Sequence, residues 1–306
     1  MRRGLKYNTF QPEETKPVSK QELNRQNYQE IQQAIRKDKD KIMPSLNDFM
    51  ARDPLRAAIW GGSGSGKTTL AALLANYEQF RPIYFFDWDR RMGALRASIP
   101  QDLWQYIFAD SYSDKQQQGS AFSMMEAKLV SIEKEGYKTI ILDSMTFMLE
   151  GIMARVMMLD GNKNSATMNP QLQNYLSQQS AVKAVLQRMC SANYNFICTF
   201  HEGTDKDEVS GRIFKAFNVT GKLVSTVPGY FNEIWHTEVN QTTQGENEFS
   251  VRTRSDYTYM ARTTFRSLKS TEKQGDVWPK VIAEISNQQE IAKLPPPHVQ
   301  VEPQKL

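Results

Sequence analysis

Cysteine is scarce. The 306-residue chain has two, Cys190 and Cys198, and no Cys/His cluster. Two thiols cannot build a disulfide framework, and no ligand set for a structural zinc is apparent, so a reducing compartment is expected. Long hydrophobic runs are also missing. No apolar stretch approaches the roughly 18 residues of a transmembrane helix. The N-terminal MRRGLK is charged and lacks an apolar signal core, so the expected location is the cytoplasm, with no membrane partner. No internal repeat is visible. Nor does either sign of charge dominate: 38 basic against 34 acidic side chains leave a net charge of +4. That surplus permits an anionic partner without requiring one.

What remains is an ordinary globular composition, 40% hydrophobic and 24% charged, enough to bury a core. Residues 1–50 are rich in Gln, Lys and Glu with sparse apolar positions, and read as a helical or partly disordered arm. From 51 to 285 apolar β-rich runs recur: LRAAIW (55–60), PIYFFDW (82–88), YKTIILDS (137–144) and YNFICTFH (194–201). Helical stretches at 67–78, 121–135 and 171–192 separate them. Short continuous apolar strands alternating with helices indicate a parallel sheet covered on both faces, an α/β fold. Later runs, YFNEIWHTEVN, EFSVRTRS and YMARTTF, alternate as strands of an antiparallel addition at the sheet edge. Residues 286–306 read as a flexible Pro-rich tail.

Between the first strand and the first helix lies Gly61-Gly62-Ser63-Gly64-Ser65-Gly66-Lys67-Thr68, which fits G-x-x-x-x-G-K-[ST] in its proper setting. Glycines let successive N–H groups curl inward on phosphate oxygens, and the helix adds the positive end of its dipole. Lys67 supplies a mobile charge for the β- and γ-phosphates, and Thr68 a hydroxyl for Mg²⁺. The expected nucleotide-binding set runs from Gly61 to Thr69. The metal-side carboxylate is Asp143, which ends the buried TIILD strand about 75 residues later. Two more carboxylates, Asp87 and Asp89, end the YFFDWD strand, where one can orient water for in-line attack. His201 ends the CTFH run and is placed to sense the γ-phosphate.

This arrangement resembles the RecA-like ATPase core over roughly 55–270. More narrowly, it is similar to phage RecA-like P-loop proteins that act as single-strand annealing ATPases. The resemblance rests on the P-loop, IILDS, FHE and the late VRTRSDYTYMAR run. It implies ATP and Mg²⁺ as cofactors, a homo-oligomer (ring or filament) and single-stranded DNA as partner, in the host cytoplasm. A single-stranded DNA-binding protein is a further implied partner. In RecA-like proteins a glutamate after the second strand positions water. Asp89 takes that place here, and its shorter side chain leaves slow turnover open. His201 stands where a glutamine sensor is usual. Arg262, with Arg266 as second choice, is the implied cation donated to a neighbour's site. Two DNA-facing loops are implied at about 150–170 and 202–221. The first carries Arg155 and Lys163 among methionines. The second carries Lys206, Arg212, Phe214, Lys215, Phe217 and Lys222. Two other functions stay open: a DNA-translocating motor (helicase or packaging ATPase), and a nucleotide-gated loader or assembly protein with little turnover.

Overall fold

The computed structural model describes residues 53–114, 117–160, 169–206 and 211–292. The N-terminal arm, Lys163 and the stretch after 292 lie outside the described residues. Four expected strands form where the apolar runs predict: β1 (Arg56–Gly61), β2 (Ile83–Asp87), β4 (Thr139–Asp143) and β5 (Asn195–Lys206). A further strand, β3 (Ile107–Ser111), pairs parallel to β2 at the sheet edge. With β7 (Glu233–Gln241), β8 (Asn247–Arg252) and β9 (Thr271–Lys273), the sheet order is β3-β2-β4-β5-β1-β7-β8-β9, and β6 (Ile213–Phe217) pairs β5 off that path.

The edge addition differs from expectation in two respects. β7 (Glu233–Gln241) runs parallel to β1, extending the parallel core by one strand. Only β8 (Asn247–Arg252) and β9 (Thr271–Lys273) are antiparallel there. YMARTTF is not a strand. It makes isolated bridges, Lys215 to Tyr259 and Ile234 to Arg262.

β1, β2 and β4 are buried along their whole length, so alternate side chains feed two cores. Ala58, Trp60, Phe86 and Leu142 face one, which is covered by α2 (Ser120–Ser131), α3 (Met145–Leu159) and α4 (Leu172–Ser191). Ala57, Ile59, Phe85, Ile141 and Trp235 face the other, covered by α1 (Lys67–Ala72) and α6 (Gln274–Ala292). A short α5 (Leu223–Thr226) follows β6. α6 continues beyond residue 285, where the tail was expected to begin. Among the described residues no helix is long and apolar enough to cross a membrane.

Candidate functional site

All parallel strands end on one side, and the phosphate loop lies there. Gly64 and Gly66 have φ of 76° and 90°, a region that favours glycine. A Cβ on Gly61 would come within 2.4 Å of the Thr237 carbonyl, so only glycine fits against β7. Ser63 and Gly64 are exposed at the tip, while Thr69 is half-buried within α1. Lys67 folds over the loop, its Nζ donating to the carbonyls of Gly61 (3.0 Å) and Gly62 (2.7 Å). The residue as a whole is 6% exposed. Burial pushes its pKa down, while Asp143 and Asp89 oppose that shift and Arg91 adds to it.

Asp143 sits at the centre. Its Oδ2 accepts from Thr68 Oγ1 at 2.8 Å and its Oδ1 from Thr199 Oγ1 at 2.5 Å. Burial pushes its carboxyl up to about 6, and the charge of Asp89 adds to the effect. The folded chain therefore retains a proton there, between its ordinary 3.8 and about 6, that the unfolded chain has released. The stability linked to that proton fades as pH rises through about 6. Above it the buried carboxylate costs on the order of 2–3 kcal/mol. Asp143→Asn is thus expected to raise the unfolding midpoint at pH 8 and to change it little near pH 4. Scanning calorimetry at the two pH values checks this, and an unchanged or lowered midpoint at pH 8 contradicts it.

Asp89 is bound from two sides. Ser144 Oγ donates to its Oδ1 at 2.5 Å, and His201 Nε2 meets its Oδ2 at 3.0 Å. Burial works against its ionisation, yet the bonds from His201 and Ser144 and the charge of Lys67 hold it below the usual carboxylate range. A carboxylate so stabilised is a weak proton acceptor, so what it offers a water is orientation. The turn carrying it is tied to β4, because the Trp88 and Asp89 N–H groups both donate to the Asp143 carbonyl, at 2.6 and 3.1 Å. Asp87 does not share the site. Ser111 Oγ (2.7 Å) and the Arg91 N–H (3.3 Å) occupy its oxygens as a structural brace.

Lys67, Thr68, Asp89, Asp143 and His201 are therefore brought together. The donor set would suit Mg²⁺, because the Thr68 hydroxyl beside the Asp143 carboxylate offers the hard oxygens that such an ion takes. Among the described residues there is no group of three or more His, Cys, Asp or Glu that could hold a metal. Sequence reasoning missed Thr199, Ser144, Thr237 and Gln274. Thr199 reaches Asp143 through strand register, since Leu142 pairs with Cys198 one position earlier. Thr237 Oγ1 contacts Ser65 Oγ at 2.7 Å.

The remaining expected residues lie elsewhere. Arg262 pairs with Ile234, three register positions below the Thr237 level of the phosphate loop. Its guanidinium donates to the carbonyls of Pro228 (2.8 Å) and Phe231. Arg266 is exposed, its N–H held by Glu284 at 3.2 Å. Within the first implied loop, residues 150–159 are helix: Arg155 is half-buried on α3, packed close to Gly119. Much of the second is an antiparallel hairpin, with Glu202–Lys206 paired to Ile213–Phe217. His201 is accordingly the last residue of β5 in register with β1, not the strand's end.

On that hairpin Lys206 is exposed and Phe214 half-buried. Arg212 donates to the Tyr257 carbonyl and lies over the Tyr257 ring at 5.3 Å. Lys215 is neutralised by Glu202 at 3.0 Å. Lys222 is exposed at the start of α5. Phe217 is core, stacked on Phe200 at 4.2 Å.

A family model described as an AAA domain matches residues 53–265. Comparison with curated proteins gives no match. Among solved structures the chain is similar to an ATPase from the type III secretion system of pathogenic bacteria: TM-score 0.38, 15% identity, 64% of this chain and 56% of that one. The RadB recombinase gives TM-score 0.40 and 15% identity over 70% of this chain and 84% of its own. The pilus retraction motor PilT gives TM-score 0.34 and 12% identity over 82% and 60%. The chain thus spans little more than half the length of the secretion ATPase.

Proposed function

The chain belongs to the AAA domain family of P-loop ATPases, and on that premise we propose that it is a Mg²⁺-dependent ATPase acting as a homo-oligomer on single-stranded DNA. The process would be annealing or strand pairing in phage recombination or replication. One observation carries the reading. Asp89, bonded to Ser144 and His201, stands beside the Thr68–Asp143 pair, and His201 lies on the strand that continues into the β5–β6 hairpin. A water-orienting group, a metal-side carboxylate and a solvent-reaching element thus share one continuous strand system.

Loop amides from Gly62 to Thr68 would bind the phosphates, with Lys67 released from its carbonyls to reach them. Thr68 and Asp143 would hold Mg²⁺, which supplies neutralising charge when bound. Asp89 would align the water and His201 report on the terminal phosphate. Lys206, Arg212 and Lys215, with Phe214, would face the nucleic acid from the hairpin, and Arg155 from α3. Arg262 would serve a neighbouring subunit.

A filter-binding assay tests the DNA part, using labelled single-stranded and duplex DNA with and without ATP–Mg²⁺ across a salt series. The expected result is a nucleotide-dependent preference for single strands that weakens as salt rises. No binding at low salt overturns the DNA reading and leaves the ATPase standing. A second reading, a nucleotide-gated assembly protein with little turnover, draws on the neutralised Lys215 and the core position of Phe217. ATP-dependent oligomerisation without DNA affinity is its signature.

A further inference from the structure

The phosphate loop is gripped from outside the strands that carry the site's carboxylates. On one flank Thr237 of β7 holds Ser65, and its Oγ1 also donates to the Trp60 carbonyl at 3.2 Å. On the other flank stands the first turn of α6. Gln274 Nε2 donates to the Gly66 carbonyl at 2.8 Å. One helical turn on, the Trp278 indole N–H donates to the Leu70 carbonyl at 2.6 Å. Two donors spaced i, i+4 on α6 thus meet two carbonyls spaced i, i+4 on the phosphate-loop helix. Trp278 is buried against Trp235, ring centroids 5.1 Å apart, which fixes the register of the pair.

The Gly66 carbonyl matters because of what lies on the other side of the same peptide. In a planar trans peptide the C=O and the following N–H point in opposite directions. A donor that holds the Gly66 oxygen outward therefore holds the Lys67 N–H inward, towards the phosphate cradle. Gly66, with φ of 90°, is a residue whose flanking peptides turn over cheaply. Its oxygen already accepts the helical bond from the Leu70 N–H at 2.8 Å, and Gln274 is the second hand on it. The fit is close: a Cβ on Gly66 would lie 2.8 Å from the Gln274 amide nitrogen.

We propose that Gln274 is a positioning residue of the nucleotide site, orienting the Gly66–Lys67 peptide so that the Lys67 N–H faces the bound phosphates. The proposal rests on the nucleotide-binding reading. It means that the C-terminal helix, and not only the parallel core, sets nucleotide affinity.

The test compares Gln274→Ala and Gln274→Met with the wild type. Three quantities are measured: Kd for a fluorescent ATP analogue, KM and kcat for ATP, and the unfolding midpoint. The methionine keeps the stem beside Gly66, so it carries the test where the alanine variant does not fold. Loss of one ordering hydrogen bond is expected to raise Kd and KM about three- to tenfold. kcat should stay within about twofold and the midpoint within about 2 °C, the pattern of lost uniform binding. Trp278→Phe is the structural comparison, expected to lower the midpoint. Wild-type Kd and KM in Gln274→Met overturn the proposal, as does a rise in Kd accompanied by general destabilisation. A wild-type protein that binds no ATP analogue overturns the nucleotide reading instead.

Discussion

Lys67→Ala lowers ATP turnover by at least about a hundredfold, the usual scale for removing a cation or donor that meets developing transition-state charge. The expectation includes a second, less obvious half: the fold survives. Lys67 is almost wholly buried, and its desolvated ammonium donates to two loop carbonyls. Burial already pushes its pKa down, which means that the surroundings disfavour the charge they contain. Truncating it removes that cost along with the two bonds, so the unfolding midpoint should fall by no more than a few degrees. Steady-state turnover and calorimetry on the same preparation give both readings. Turnover within about tenfold of wild type would break the assignment of this loop to phosphate chemistry.

Asp89→Asn separates binding from hydrolysis. The amide keeps the size of the carboxylate and loses its charge, so alignment of an attacking water weakens while the phosphate loop is untouched. Hydrolysis is expected to fall about 10²- to 10⁴-fold, with ATP affinity within a few-fold of wild type. Full hydrolysis by the variant would show that another group positions the water. The substitution also has a stability signature opposite to that of Asp143→Asn. Asp89 is held below its ordinary pKa, so its ionised form contributes stability at neutral pH that is lost as pH falls through its folded value. Removing it should lower the midpoint at pH 7, where removing the Asp143 charge raises it. Two carboxylates of one site thus pull the fold in opposite directions, which a paired thermal-shift experiment reads directly.

The chemistry that comes from local pattern was legible in the sequence. A glycine loop between an apolar run and a helix, and a buried run ending in Asp143, announce themselves because each motif is contiguous. Thr199, Thr237 and Gln274 are not legible, because each reaches the site through register or packing across tens to hundreds of positions; Ser144 stands in the IILDS motif, but its bond to Asp89, 55 positions away, is set by packing. β3 escaped notice for a physical reason as well: IFADS lies at the sheet edge, and four of its five residues are exposed, so no apolar run marks it. The stretch 150–159 shows the opposite error. Its helix is written in the sequence, with buried Met145, Met148, Leu149 and Ile152 at i, i+3, i+4 and i+7. Placement by resemblance to a loop-bearing family overrode that spacing. α6 runs on to Ala292, into the stretch 286–306 that reads as a Pro-rich tail.

The passage of β5 out of the sheet sets a mechanical boundary. Up to His201 the strand is paired with β1; past it Glu202–Lys206 pair with β6, and Glu202 also meets His236 of β7 at 3.0 Å. Two differently paired halves of one strand therefore meet at the imidazole that touches Asp89. The outer half, Glu202–Lys206, is a lever of about 17 Å at 3.3 Å per residue. A tilt of about 5° at its fulcrum carries the far tip roughly 1.5 Å, by the same rise. A rearrangement around the Asp89 carboxylate that tilted this lever would thus arrive magnified at the solvent end.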